Sequence, residues 1–228
     1  TIGIAGATGL AYAWGKNHAG QLGDNSRTSR SVPVAVSSAT SWTEVGCGAY
    51  HVIALQGSNG LAYAWGNNSS GTLGTGNLTS YSVPTSVSSA TSWSKLSAGY
   101  LDTLVIRGSD GLAYGWGIND TGQLGDNSRS VRSVPVSVSS AFSWKAIACG
   151  NSVSAAVKGA DGLTYSWGRN DYGQLGDNSV TSKSVPVSVS LSTSWTNIAT
   201  TALGGGAMVV TRTSFSMLAY SEGTIKQQ

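Results

Sequence analysis

The chain has 228 residues, a net charge of +3 and only 10% charged side chains, against 31 glycines, eight tryptophans and nine tyrosines. So few charges and so much glycine exclude a helical bundle, which needs charged faces and tolerates glycine poorly. The aromatic content excludes a disordered chain, and the weak net charge gives no basis for a nucleic-acid or membrane-surface partner.

Taken in chain order, residues 1–15 supply a first pair of strand-like runs ending in GLAYAWG. The first complete series, read from residue 50, holds four: HVIAL (51–55), LAYAW (61–65), SVPTSV (82–87) and SWSKLSA (92–98). Asn59-Gly60 marks a hairpin turn between the first two, and Asp-Gly replaces it at 110–111 and 161–162. LAYAW alternates, with Leu61, Tyr63 and Trp65 on one face and Ala62 and Ala64 on the other. A sheet with one bulky face and one small face suits stacking between two similar sheets. Pro in the third run marks a strand with one side unpaired, and the SW run is expected on the outer side.

The series then recurs without insertion. Trp14, Trp65, Trp116 and Trp167 lie 51 residues apart, as do Trp42, Trp93, Trp144 and Trp195, and as do Pro33, Pro84, Pro135 and Pro186. A period of this length signals a solenoid, propeller or array, and four short strands per period is the arithmetic of a β-propeller blade. The expected fold is therefore all-β: one propeller domain over 1–228, built from four 51-residue, four-stranded repeats. The units run approximately 1–49, 50–100, 101–151 and 152–202, followed by a degenerate half repeat over 203–223 and a tail over 224–228. In the half repeat MLAYSEG echoes GLAYAWG, with Glu222 where Trp would stand. If the chain is complete, a compact ring of four or five units is expected. The chain begins at Thr1 without an initiator methionine, as a processed or excerpted product would. No stretch of 18 apolar residues occurs, so no membrane insertion is expected.

The element WG-x-N-x-x-G-x-L-G occurs at 14–23, 65–74, 116–125 and 167–176, each time followed by SVP and SW. With these motifs the chain resembles the regulator of chromosome condensation repeat family over residues 1 to about 208. The resemblance implies a propeller; in the family such rings commonly have seven blades. The plain, fixed-length repeats with GQLGDNS and RSVPVSV look like bacterial and bacteriophage versions. The family's namesake exchanges nucleotide on a small GTPase and binds chromatin, using an insertion and tails that the fixed spacing here leaves no room for. The family's Gly-x-x-His survives once, as Gly48 and His51; Asp102, Val153 and Gly204 stand at the other copies. The ultraviolet photoreceptors of the fold carry Gly-Trp-Arg-His-Thr where this chain has Gly48-Ala49-Tyr50-His51-Val52, so no light sensing is implied.

No catalytic, cofactor or metal residues are expected. The two histidines, His18 and His51, are not equivalent in the repeat, and no HExxH, CxxC or nucleophile elbow occurs. His51 and Asp102, equivalent in consecutive units, are expected to meet in a structural hydrogen bond. Cys47 and Cys149, two units apart, are expected as free, buried thiols. Asn68, Asn77 and Asn119 begin N-x-S/T sequences. The eight tryptophans are expected in the core, with an exposed sugar-stacking platform at Trp42, Trp93, Trp144 and Trp195 as the alternative. Arg27, Arg30, Arg129, Arg132 and Lys183 should ring one rim, either paired with Asp24, Asp126 and Asp177 across neighbouring blades or forming a patch for an acidic partner.

The expectation for function is a non-enzymatic scaffold or protein-binding module without cofactors. Its partner would be a protein, including other subunits of a larger assembly, and its setting extracellular or a virion. The alternatives are a carbohydrate-binding propeller, an exchange factor for a small GTPase, and an enzyme inhibitor; the last would use exposed aromatics such as Tyr50, Tyr81, Tyr100 and Tyr172.

Overall fold

A computed structural model describes residues 1–6, 8–37, 41–57, 59–88, 92–189 and 195–200, with the backbone of 208–211. These residues form five antiparallel sheets and no helix. The first sheet is β1 (Ile2–Ala5), β2 (Leu10–Gly15) and β3 (Arg30–Ala35). The second is β4 (Trp42–Cys47), β5 (His51–Gln56), β6 (Leu61–Gly66) and β7 (Tyr81–Ser86). The third is β8 (Trp93–Ala98), β9 (Asp102–Arg107), β10 (Ala113–Gly117) and β11 (Arg132–Ser137); the fourth is β12 (Trp144–Cys149), β13 (Val153–Lys158), β14 (Thr164–Gly168) and β15 (Lys183–Ser188). β16 (Asn197–Thr200) pairs with β17 (Met208–Thr211), which lies in the segment expected as a half repeat. The rest of that segment, including MLAYSEG, lies outside the described residues.

Each repeat supplies the four expected strands, but they are shared between sheets. The SW strand ending one series is hydrogen-bonded to the HVIAL-type strand of the next, as β8 is to β9. It is also not on the outer side. β4, β8, β12 and β16 pack on one another from sheet to sheet, which makes them the innermost strands. The SVP strands β3, β7, β11 and β15 take the opposite, free edge, as Pro requires. The turn glycine of one sheet seats the next: the carbonyls of Gly9, Gly60, Gly111 and Gly162 accept the amides of Trp42, Trp93, Trp144 and Trp195 at 2.8–2.9 Å.

Three cores lie between sheets, each placing small residues of one sheet against the tryptophan of the next. Ala11, Ala13 and Leu22 meet Trp42 and Trp65; Ala62, Ala64 and Leu73 meet Trp93 and Trp116; Ala113 meets Trp144 and Trp167. The alternation read from LAYAW thus becomes the packing rule of the molecule. Sheets follow one another by contacts of β1 with β4, β4 with β8, β8 with β12 and β12 with β16. β1 and β16, at the two ends of this series, make no comparable contact among the described residues. The described sheets thus follow one another in a single row with β1 and β16 at its ends, and the closure of the compact ring expected from the repeat count lies outside the described residues.

Candidate partner-binding rim

The segments joining the last two strands of each of the first four sheets, 16–29, 67–80, 118–131 and 169–182, form one rim. Each is organised by a fully buried asparagine: Asn17, Asn68, Asn119 or Asn170. The Asn17 amide donates to Asp24 Oδ1 at 3.1 Å and to the Ser26 and Thr28 carbonyls, while its oxygen accepts the Leu22 amide at 2.9 Å. Asn170 repeats this set on Asp177, Ser179, Thr181 and Leu175. Buried amides need such complete bonding. Asn68 and Asn119 are therefore structural, and the N-x-S/T sequences they begin offer no accessible acceptor. These four asparagines were present in the WG-x-N motif; their identity in all four copies was the available signal.

Arg30, Arg132 and Lys183 brace the same loops. Arg30 lies 3.1 Å from Asp24, Arg132 2.8 Å from Asp126 and Lys183 3.6 Å from Asp177. The pairing is thus within each loop, not across neighbouring blades. Desolvation alone would raise the pKa of these aspartates, but hydrogen bonds outweigh it. Ser26, Arg30 and Asn17 hold Asp24 below the usual carboxylate range, and Ser128, Arg132 and Asn119 do the same for Asp126. Ser179 and Asn170 do so for Asp177.

Arg27 and Arg129 differ. Both are exposed, and neither has an ion-pair or hydrogen-bond partner among the described residues. They share one repeat position with Leu78 and Val180, which are 59% and 68% exposed. The rim therefore shows Arg, Leu, Arg and Val in order at its tips. Of the five basic residues expected to form one patch, two project freely and three are committed to loop structure.

The tryptophans sit as expected for a core, with two exceptions. Trp65, Trp116 and Trp167 are fully buried and donate their indole N–H to the carbonyls of Gln21, Thr72 and Gln123 at 3.1, 2.9 and 2.8 Å. Trp42, Trp93 and Trp144 are 3% exposed and stack edge-on against Tyr63, Tyr114 and Tyr165. A sugar-stacking platform at these three is overturned by that burial. Trp14 and Trp195 are only partly buried.

Near the inner strands, His51 and Asp102 do not bond to each other. His51 Nε2 contacts Thr103 Oγ1 at 3.0 Å, and Thr103 donates on to the Thr72 carbonyl. Burial lowers the His51 pKa from 6.5 to about 4 and raises that of Asp102 from 3.8 to about 8. At neutral pH both are uncharged, the Asp102 carboxyl lying against Cys149. Both cysteines are free, as expected, but Cys47 is exposed and only Cys149 is buried. No group of three metal-ligating side chains occurs among the described residues. Among the tyrosines, Tyr50 and Tyr100 stack edge-on at 6.3 Å, with Lys16 over Tyr50, and Tyr172 is 78% exposed. Tyr81 is half-buried against the second core.

Comparison with known proteins matches the geometry. The family model for the regulator of chromosome condensation (RCC1) repeat matches at 8–55, 59–106, 110–157 and 161–208. The ultraviolet-B receptor UVR8 of Arabidopsis thaliana is 34% identical over 174 residues, covering 74% of this chain and 39% of the receptor. The E3 ubiquitin-protein ligase HERC2 of Homo sapiens is 32% identical over 179 residues, covering 75% of this chain but 4% of the ligase. Among solved structures, human WBSCR16 superposes with a TM-score of 0.79 at 20% identity, covering 91% of this chain and 55% of that one. Prp20p of Saccharomyces cerevisiae, whose structure was described with its binding to Gsp1p and histones, gives 0.73 at 20%, covering 90% and 52%. The chain thus spans about half of those structures and less than half of the curated relatives it matches. Four matched repeats and one repeated packing scheme give one conclusion: the chain belongs to the regulator of chromosome condensation (RCC1) repeat family.

Proposed function

We propose that this chain is a non-enzymatic protein-binding segment of an RCC1-type propeller, whose loop tips engage an acidic protein surface. The observation that carries this reading is the row Arg27, Leu78, Arg129 and Val180, exposed at one repeat position and unpaired within the loops. Free guanidinium groups beside aliphatic side chains suit a partner that offers carboxylates around an apolar spot, arginine being favoured at interfaces. Protein partners are the habit of a relative of this fold, since Prp20p binds Gsp1p and histones. The buried, uncharged His51 and Asp102 support the non-enzymatic part, because neither is open to a substrate.

The test is calorimetric titration of the full chain with Gsp1p and with histone complexes, repeated with Arg27→Glu/Arg129→Glu. Binding by the native chain and loss of at least tenfold in the double variant is the expected result; equal affinity of the two would remove the rim from the reading. Exchange-factor activity is tested in the same experiment by release of labelled nucleotide from Gsp1p. The fixed 51-residue spacing and low charge also support placing the chain outside cells or in a virion. Immunogold labelling of purified particles tests that placement.

A further inference from the structure

The turns joining β1 to β2, β5 to β6, β9 to β10 and β13 to β14 carry Thr8-Gly9, Asn59-Gly60, Asp110-Gly111 and Asp161-Gly162 at one repeat position. In each, a side-chain oxygen accepts the amide two residues on: Thr8 from Leu10 at 3.3 Å, Asn59 from Leu61 at 3.3 Å, Asp110 from Leu112 at 3.1 Å and Asp161 from Leu163 at 3.0 Å. Such a turn draws the side chain back over the nitrogen of the glycine that follows. The glycine is left-handed in all four, with φ from +64° to +73°.

The glycine amides differ. Gly9 donates to the Ala5 carbonyl at 2.8 Å, Gly111 to Arg107 at 2.9 Å and Gly162 to Lys158 at 3.0 Å. The Gly60 amide has no hydrogen-bond partner among the described residues, although Gln56 stands at the equivalent place. The same turn departs at Gly57, which is left-handed at φ +50° where Gly108 and Gly159 are not. The side chains facing these nitrogens differ as well. Asp110 and Asp161 carry carboxylates paired with Arg107 and Lys158, and a carboxylate resists attack by an amide. Thr8 has no carbonyl carbon to attack. Asn59 offers a neutral amide, and its counterpart of Arg107 is the uncharged Gln56. Asn59 is exposed, and Gly60 lines an open groove of about 430 Å³ with Gly57, Ser92, Trp93 and Lys95, so water reaches the turn.

We infer that Asn59-Gly60 is a self-modification site, at which the Gly60 nitrogen attacks Asn59 Cγ and the side-chain nitrogen leaves as ammonia. The new bond joins the Gly60 nitrogen to Cγ, the C–N bond of the side-chain amide breaks, and the Gly60 amide proton departs with the leaving nitrogen. The product is a five-membered succinimide, which water opens in two ways. Cleavage between the nitrogen and Cγ gives aspartate at 59. Cleavage between the nitrogen and the Asn59 carbonyl carbon gives an isoaspartyl linkage, whose main chain runs through Cγ and is one methylene longer. The first product reproduces the acid of the third and fourth turns without their counter-charge. The second falls on a joint between sheets, because the Gly60 carbonyl accepts the Trp93 amide at 2.9 Å. A Cβ on Gly60 would already strike the Trp93 carbonyl. With no slack there, an added methylene displaces the Gly60 carbonyl and loosens the contact between the second and third sheets.

Ageing the full chain in mildly alkaline buffer, which favours the deprotonated glycine nitrogen, tests this by peptide mapping and by methyl transfer from an isoaspartyl methyltransferase. Asn59 should convert ahead of every other asparagine, giving an acidic species on ion exchange and an isoaspartyl group that accepts methyl. Asn59→Gln should lose both, since its extra methylene prevents the five-membered ring. The isoaspartyl species should melt about 2–4 °C below the native chain, the shift for one lost hydrogen bond in a chain of this size. Asn59→Asp, with a normal main chain, should melt with the native protein. Asp110→Asn separates the turn from the dipeptide, because it puts Asn-Gly where the Gly111 amide is committed to the Arg107 carbonyl. That turn should convert more slowly than Asn59 in the folded chain and at the same rate in urea. Equal rates in the folded chain, or an Asn59 that keeps its amide while another asparagine converts, overturns the inference.

Discussion

Trp14 and Trp116 occupy one repeat position in nearly identical sequence, yet Trp116 is completely buried and Trp14 is not. The first sheet has no sheet before it among the described residues, while the third is clamped between the second and fourth. The difference teaches that burial here belongs to the junction and not to the repeat. A single unit cannot cover its own bulky face, so the energetic unit is a pair of neighbouring sheets, as in other repeat architectures.

The largest expected effect follows directly. Trp116→Ala should cost about 3–5 kcal/mol, the range for emptying a large buried site. Trp14→Ala should cost about 1 kcal/mol, as for a part-exposed residue. Urea melts of both variants measure the gap, and equal losses would show that the first sheet is covered in solution.

The loop glycines sharpen the same comparison. Gly125 and Gly176 have nearly the same left-handed conformation, φ +71° and +64°. A Cβ on Gly125 would lie 2.7 Å from the Trp167 indole nitrogen, whereas on Gly176 it would meet, among the described residues, a Val189 methyl at 3.3 Å. Gly176→Ala therefore carries the backbone strain alone, about 1–2 kcal/mol. Gly125→Ala adds overpacking of a filled joint, for a total of about 2–5 kcal/mol. Subtracting one from the other isolates the cost of intruding between sheets.

How much of this was legible in sequence depends on the scale of the interaction. The strands, their Pro-bearing free edge and the small-against-large stacking follow from the spacing of Trp14, Pro33 and Gly9 and their copies, because local alternation decides them. The innermost place of the SW strand was not legible. Nothing local tells Trp42 whether it bonds to the sheet before it or after it; the answer lies in the long-range pairing of β4 with β5. The rim was half legible for the same reason. Arg27 and Arg30 look alike in the string RTSR, and only the fold of the loop carries Arg30 back onto Asp24 and leaves Arg27 in water.

The inner strands offer a pH-dependent contrast between equivalent positions. Burial raises Asp102 to about 8 from an ordinary 3.8, so the folded protein holds a proton that the unfolded chain releases. Its contribution is fully present below pH 3.8 and is lost as pH rises toward about 8. His51 runs the other way: burial lowers it to about 4 from 6.5, so stability is present above pH 6.5 and is lost as pH falls toward 4. Asp102→Asn should stabilise the protein on the order of 1–3 kcal/mol at pH 8 and by little at pH 4. Thermal melts of the native chain and the variant across that range give the difference, and a gain independent of pH would place an ionised Asp102 in the folded state.

The smallest stability effects are expected on the rim, where two arginines three residues apart should separate function from structure. Arg132 holds Asp126, a carboxylate 4% exposed, but its own side chain is 36% exposed, so solvent discounts the pair. Arg132→Ala should cost about 0.5–1 kcal/mol and move the Asp126 pKa upward, visible by NMR titration of the carboxyl. Arg129→Ala removes a side chain with no partner among the described residues and should stay within about 0.5 kcal/mol of the native chain. In partner binding the order should reverse, with Arg129→Ala losing affinity and Arg132→Ala losing it only as far as its loop relaxes. The reversal matters more than either value. A loop residue that serves the fold and one that serves a partner give opposite rankings in the two measurements, and a chain in which both rankings agree would have its partner surface somewhere other than this rim.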